Sequence, residues 1–387
     1  MPPRTPPAAA DGQTTRILDS GEGIASTYAR PMGTIPHQVA DIDVDWLNEV
    51  LDGQVGTIVA MRADRLAEGV GILGELARIS LTYADGQSGP ASVIAKCQSP
   101  APENQFLAQV MGFYEREVNF YNSTADSLDI RVPHHYHAAI AEGGVPFVLI
   151  LEDIIDGYCP DQNAGITAAQ AAQILEVAAT LHASFWGIAD TIAWLPPMNN
   201  PLYKAGQQLA EMRWPGFVER FGHRIDPTML AAIKKACDNY AAMLDFVASS
   251  GVTTLTHTDC RAENNLFLDG QPPVMLDFQL CTRHFGPWDV ANLLGGSMTA
   301  EVRRVHETEL VEGYHATLVS KGVANYDLAA CWRDYRLSLL QSCVAVVIVS
   351  DLQGGNDRGA ELLENLMLRP VVAATDHRVG ELLEEFC

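Results

Sequence analysis

The sequence predicts an α+β chain of two lobes, a small antiparallel-sheet lobe followed by a large, mostly helical one. Three observations carry that expectation. Residues 57–153 alternate strand-like runs with turns and hold one helical stretch near 103–124. From residue 154 onward, apolar positions recur at helical spacing between caps and breakers. One polar segment, Leu255-Thr-His257-Thr-Asp259-Cys-Arg261-Ala-Glu-Asn264-Asn-Leu-Phe267, interrupts the helices and leads into a short hairpin.

Taken in order, residues 1–39 read as tail and lead-in. They begin Met1-Pro-Pro-Arg-Thr-Pro-Pro, without the apolar core of a secretory signal. A short helix over 43–51 opens the folded part, and 40–153 form the first lobe. Strand-like residues 57–67 run to Gly69-Val-Gly71-Ile-Leu-Gly74, and a second strand, Leu76–Tyr83, follows. Glycines let the backbone approach phosphates closely and turn N–H groups toward them. Before a helix, that glycine pattern would suggest a dinucleotide fold; before a strand it suggests a phosphate-covering hairpin. A third strand carries Ser92-Val-Ile-Ala-Lys96. The helix after it carries Glu115 and Glu117, with Glu117 expected to pair with Lys96 and Glu115 the fallback. A strand-end Lys and a helical Glu are ordinarily solvated, and it is their order after the glycines that singles them out.

In the second lobe, 154–387, Thr167-Ala-Ala-Gln170 is a capping box before a helix with Ile174, Val177, Ala178, Leu181 and Phe185 on one face. Asp226-Pro227 starts a helix expected to reach Gly251. Others are expected from about 299 to 321, stopped by Gly322, and from 327 past 347. Pro370 is expected to interrupt the last one. Residues 188–225 read as irregular and rich in aromatics.

The polar segment carries the chemistry. Phosphoryl transfer needs one group to accept the acceptor hydroxyl's proton and others to hold magnesium against phosphates. In His-x-Asp-x-x-x-x-Asn, the Asp is the proton acceptor and the Asn a metal ligand. A later Asp ending a short apolar strand is the second ligand. Those roles fall on Asp259, Asn264 and Asp277. Asp269-Gly270 supplies a hairpin turn that would return Asp277 beside Asn264. A polar loop before a hairpin would explain a lone His-x-Asp as well; the Asn offset and the returning Asp are what set it apart.

These elements together resemble the aminoglycoside phosphotransferase-like kinases, in particular their ecdysteroid-kinase-like branch, over roughly residues 40–350. The resemblance rests on His257/Asp259/Asn264, on Asp277-Phe278-Gln279 and on Phe147-Val-Leu-Ile-Leu-Glu152-Asp153. It also rests on Leu181–Trp186 and Gly286-Pro-Trp-Asp289. It implies a protein-kinase-like fold and transfer of the ATP γ-phosphoryl to a small-molecule hydroxyl with Mg²⁺. Gly69, Gly71, Gly74, Lys96 and Glu117 would serve the nucleotide. By the same resemblance, Asp289 braces the catalytic loop and His257 stabilises its core. Thr258 departs from the family, which often has Gly there. A protein kinase is the nearest competitor, but only 11 residues part Asp277 from Asp289, with no Ala-Pro-Glu. A nucleotide-binding pseudokinase would be expected to lack one of Lys96, Asp259, Asn264 or Asp277, and all are present.

Composition bounds the rest. The 387 residues are 48% hydrophobic, enough for a substantial core, with no apolar run of 18 residues. The eight cysteines show no Cys-x-x-Cys spacing and read as reduced thiols of a cytoplasmic protein. A net charge of −23 argues against nucleic-acid or anionic-membrane partners. Oligomeric state is open. Arg261 could touch the transferred group or pair with a loop carboxylate. Pro133-His-His-Tyr-His137 crowds three histidines without ligand-spaced partners, and reads as a surface strand end. Residues 191–225 set Glu211 and Glu219 beside Arg213, Arg220 and Arg224. That is too few carboxylates to pair a polycationic aminoglycoside, so an apolar or weakly polar alcohol is expected, with Trp214 in its pocket.

Overall fold

A computed structural model describes residues 33–66, 73–352 and 357–387, and Ile35–Cys387 form one compact unit. Helix α1 (Val44–Val50) opens it, with the Asp43 carboxylate accepting from the Trp46 N–H at 2.8 Å. The first lobe is built on β1 (Ile58–Arg65), β2 (Gly74–Tyr83), β3 (Ser92–Gln98), β4 (His135–Ile140) and β5 (Phe147–Glu152). These pair antiparallel in the order β1-β2-β3-β5-β4. Side chains alternate across a strand: Val93, Ala95 and Cys97 of β3 join a core with Ile79, Val148 and Ile150. That leaves Ile94 and Lys96 on the opposite face. Lys96 stands opposite Leu76 of β2 and Leu149 of β5, at the centre of the sheet.

The single helix expected near 103–124 is two, α2 (Pro102–Met111) and α3 (Phe113–Ser123). They part at Gly112, whose φ of 67° is the left-handed stop that glycine adopts readily. In the second lobe, α4 (Ala168–Phe185) begins with the full capping box between Thr167 and Gln170. The stretch expected to be irregular contains α5 (Pro201–Lys204) and α6 (Gly206–Phe221). Burial of Ala210, Phe217 and Phe221 sustains α6 through Pro215. The expected 226–251 helix is likewise two, α7 (Pro227–Asp238) and α8 (Tyr240–Ser250), parted at Asn239. Two-stranded pairings follow, β6 (Thr254–Thr256) with β9 (Thr282–His284) and β7 (Asn265–Leu266) with β8 (Val274–Met275).

The chain closes with α9 (Pro287–Ser297), α10 (Ala300–Ser320), α11 (Leu328–Ile348) and α12 (Asp357–Asp376). Thr299 and Asp327 cap α10 and α11. Pro370 does not interrupt the last helix; it lies inside α12, buried beside Gly295 of α9. Packing there outweighs the hydrogen bond a proline removes. Among the described residues no helix is long and apolar enough to cross a membrane.

Candidate active site

The loop between β6 and β7 is held by one buried carboxylate. Asp289 accepts from the backbone N–H of His257 at 2.7 Å and of Thr258 at 2.8 Å, and meets His182 Nε2 at 3.0 Å. Burial alone would raise the Asp289 pKa, but His182, His257 and these donors hold it below the ordinary carboxylate value. His257 Nε2–H donates to the Leu276 carbonyl at 2.7 Å, and its Nδ1 faces the Asp259 N–H at 3.3 Å. Thr258 sits at φ 72°, left-handed backbone that a β-branched residue rarely adopts. Its carbonyl accepts from Asn292 at 2.9 Å and Trp288 at 3.3 Å, and its hydroxyl bonds Thr282 at 2.7 Å. The family's usual Gly would meet the same backbone requirement without that cost.

This bracing sets Asp259 beside Asn264 and Arg261. Asn264 Nδ2 donates to Asp259 Oδ2 at 2.8 Å, and Arg261 Nε stands 3.3 Å from the same oxygen. Among the described residues no hydrogen bond reaches Oδ1. Arg261 also reaches Glu263 at 3.3 Å, so it pairs with carboxylates of its own loop. The hairpin returns as its Asp-Gly turn suggests, with Gly270 at φ 69° and the Leu276 N–H bonded to the Asn264 carbonyl at 2.9 Å. Asp277 follows in left-handed backbone, one oxygen 2.9 Å from Lys96 Nζ and the other 3.2 Å from Gln279 Nε2.

Lys96 also meets Glu117 of α3 at 2.6 Å, while Glu115 is exposed. Burial disfavours the Lys96 charge, yet Asp277 and Glu117 together raise its pKa above the ordinary lysine value. Burial pushes Glu117 up to about 7 against the pull of Lys96, and Lys96 holds Asp277 below its ordinary value against burial. The remainder of α3 is tied to the same segment. Arg116 donates to the carbonyls of Leu280 and Cys281, each at 3.2 Å, and Phe120 stacks on Phe278 with centroids 3.6 Å apart.

Lys96, Glu117, Asn264, Arg261 and Asp277 thus line one cleft of about 600 Å³, whose apolar wall includes Leu76, Ile94, Leu151 and Leu276. Gly74 begins β2, where an added Cβ would stand 3.3 Å from Lys96 Cε; Gly69 and Gly71 lie outside the described residues. Among the described residues six carboxylates line the cleft, and each faces a cation. Glu75 meets Arg65, Glu152 meets Arg131 and Asp153 meets Arg78, all at 2.6 Å. Glu117, Glu263 and Asp277 have the partners already described. The Asp153–Arg78 pair was not singled out from sequence, since nothing in the order of residues links position 78 to 153.

The aromatics of 188–225 do not line this cleft. Phe217 and Phe221 are core, and Trp214 packs against it. No three His, Cys, Asp or Glu converge as a metal site among the described residues, the 134–137 histidines included. All eight cysteines are free thiols, and only Cys159 and Cys387 are exposed.

Residues 68–323, well over half of the chain, match the ecdysteroid kinase-like family. The chain belongs to that family. This ecdysteroid kinase-like protein is a small-molecule kinase with an alcohol group as acceptor. No curated protein matches it in sequence. A candidate aminoglycoside phosphotransferase from Ralstonia eutropha JMP134 has a similar structure, at 13% identity and a TM-score of 0.50. The match covers 88% of this chain and 97% of that one, and shows the kinase-like fold. Choline kinase from Cryptosporidium parvum Iowa II matches 84% of this chain and 91% of its own, at 13% identity and a TM-score of 0.48.

Proposed function

We propose that the protein transfers the γ-phosphoryl of Mg·ATP to the hydroxyl of an apolar or weakly polar small alcohol. The observation that carries this is the convergence of Lys96, Asn264 and Asp277 on one cleft, with Asp259 bonded to the cleft-lining Asn264 at 2.8 Å. Lys96, fixed by Glu117, holds phosphate oxygens, with Gly69, Gly71 and Gly74 covering them through their N–H groups. Because the Asn264 amide nitrogen is spent on Asp259, its carbonyl oxygen is left to face a cation beside Asp277. Two hard oxygen donors, with phosphates and water completing the shell, suit Mg²⁺. Bound there, the metal would neutralise charge that develops on the phosphates. Asp259 uses Oδ1 to orient the acceptor hydroxyl and takes its proton, while Asn264 and Arg261 hold Oδ2. Arg261 is near enough to the reacting centre to stabilise the transferring group.

One feature favours an acceptor without multiple ammonium groups. Among the described residues every carboxylate lining the cleft already faces Arg or Lys, and a buried ammonium needs a carboxylate of its own. The free thiols suit a reducing compartment, and we place the protein in the cytoplasm.

The test is ADP release from Mg·ATP by wild type and Asp259→Asn across aminoglycosides, macrolides, steroids, amino alcohols and sugars. Turnover with one neutral alcohol class, lost in the variant, is the expected result. Turnover confined to aminoglycosides would overturn the acceptor reading, and silence across the panel would overturn transfer itself.

A further inference from the structure

The catalytic loop has a partner that lies nearly a hundred residues away in sequence. Arg358, in the first turn of α12, places Nη2 3.3 Å from Glu263 Oε1 and 3.1 Å from Asp161 Oδ1. Glu263 uses its other oxygen on Arg261, 3.3 Å away, and Arg261 Nε is 3.3 Å from Asp259 Oδ2. The result is a row of alternating charges, Asp161, Arg358, Glu263, Arg261 and Asp259, running from the surface to the cleft. Side-chain exposure falls from 53% at Arg358 to 15% at Glu263. The inner members are therefore less screened than the outer ones.

The location of Arg358 has a cost to the helix. A cation in a first turn opposes the helix macrodipole, so the position of its charge is not explained by the needs of α12. What the residue does is partner Glu263. Without it, the only cation beside Glu263 among the described residues is Arg261, and that pull draws the guanidinium away from Asp259.

We propose that Arg358 is a positioning residue for transfer, holding Arg261 against Asp259 by occupying Glu263. The inference rests on the phosphotransferase reading and on Asp259 as its base. It is read without a known acceptor, by following Mg·ATP turnover with water as acceptor. Arg358→Met lowers kcat about two- to five-fold, the range expected of partly exposed pairs, and leaves the KM for ATP and the melting temperature unchanged. Arg358→Lys recovers most of the loss, because the charge is restored. Asp161→Asn does not lower kcat, since Arg358 then serves Glu263 alone. A purely structural Arg358 would move the melting temperature and not kcat.

Wild-type kcat in Arg358→Met, an equal loss in Arg358→Lys, or an equal loss in Asp161→Asn would each overturn the assignment while leaving the kinase reading standing. If wild type turned over no Mg·ATP with water or with any alcohol of the panel above, the phosphotransferase reading would fall, and this one with it.

Discussion

Lys96 is 6% exposed between two carboxylates, whereas Asp259 keeps 31% of its side chain exposed. Around Lys96 the contacts are short: 2.6 Å to buried Glu117 and 2.9 Å to half-buried Asp277, across elements far apart in sequence. Around Asp259 the cation is at 3.3 Å and comes from the same loop, and the backbone beneath is left-handed at Thr258. One side is a closed triad whose charges hold one another in place. The other is an open loop braced from below by Asp289. The difference would match the two proposed tasks, since phosphates must be fixed in position while an acceptor must enter and leave.

Substitutions can break that contrast. The largest effect is expected at Asp277→Ala, which strips Lys96 of one carboxylate and the proposed metal of a ligand. Binding of a fluorescent ATP analogue with Mg²⁺ should be lost, and retention of both binding and turnover would remove Asp277 from the metal site. Asp259→Asn should act on rate alone, lowering kcat by ~10²–10⁴-fold with ATP affinity nearly unchanged. A matched loss of affinity would show the two sides are not separable.

Gly157 probes the hairpin, because an added Cβ would stand 1.9 Å from Leu266 Cδ2. Gly157→Ala should therefore destabilise by about 1–3 kcal/mol in denaturant unfolding. A neutral result would mean that β7 yields freely.

Glu117 sharpens the buried side through pH. Its pKa is pushed up to about 7 from an ordinary 4.5. A raised pKa gives stability that is complete below the unfolded value and lost as pH climbs through the folded one. The melting-temperature advantage of wild type over Glu117→Gln should thus shrink between about pH 5 and about pH 8. An advantage that grows over this window would mean the Lys96 charge wins over burial.

Thr258→Gly should have the smallest effect. It relieves about 1–2 kcal/mol of left-handed strain, but loses a hydroxyl hydrogen bond worth about 0.5–1.5 kcal/mol and stiffness worth about 0.5–1 kcal/mol. Stability within about 1 kcal/mol of wild type is expected, and a larger loss would show that the threonine cluster with Thr282 braces the loop more than Asp289 does.

Much of this was readable because it is local. The capping box at Thr167, the Asp269-Gly270 turn and the offset from Asp259 to Asn264 are each set within a few residues. What sequence reading missed depended on distant partners. α6 persists through Pro215 because Phe217 and Phe221 are buried by other helices, and α12 persists through Pro370 for a similar reason. The break at Gly112 was local but ambiguous, since an isolated glycine within helical spacing is often tolerated. Trp214 illustrates the opposite error, in which an aromatic cluster suggested a pocket and the structure packs it against the core. Arg358 carried no signal, as a cation at a helix start does not name the carboxylate it will meet.

The tie between α3 and the segment after Asp277 has a consequence for control. Arg116 is bonded to the carbonyls of Leu280 and Cys281, and Phe120 lies flat on Phe278, so α3 cannot swing outward and carry Glu117 off unless that segment goes with it. Kinases that are switched on and off need a resting arrangement in which this helix is displaced. Here displacement would uncover a stacked aromatic pair and strand a buried guanidinium, which makes such a resting state expensive. On the proposed reading, Lys96 and Glu117 would stay paired whether or not a substrate is bound.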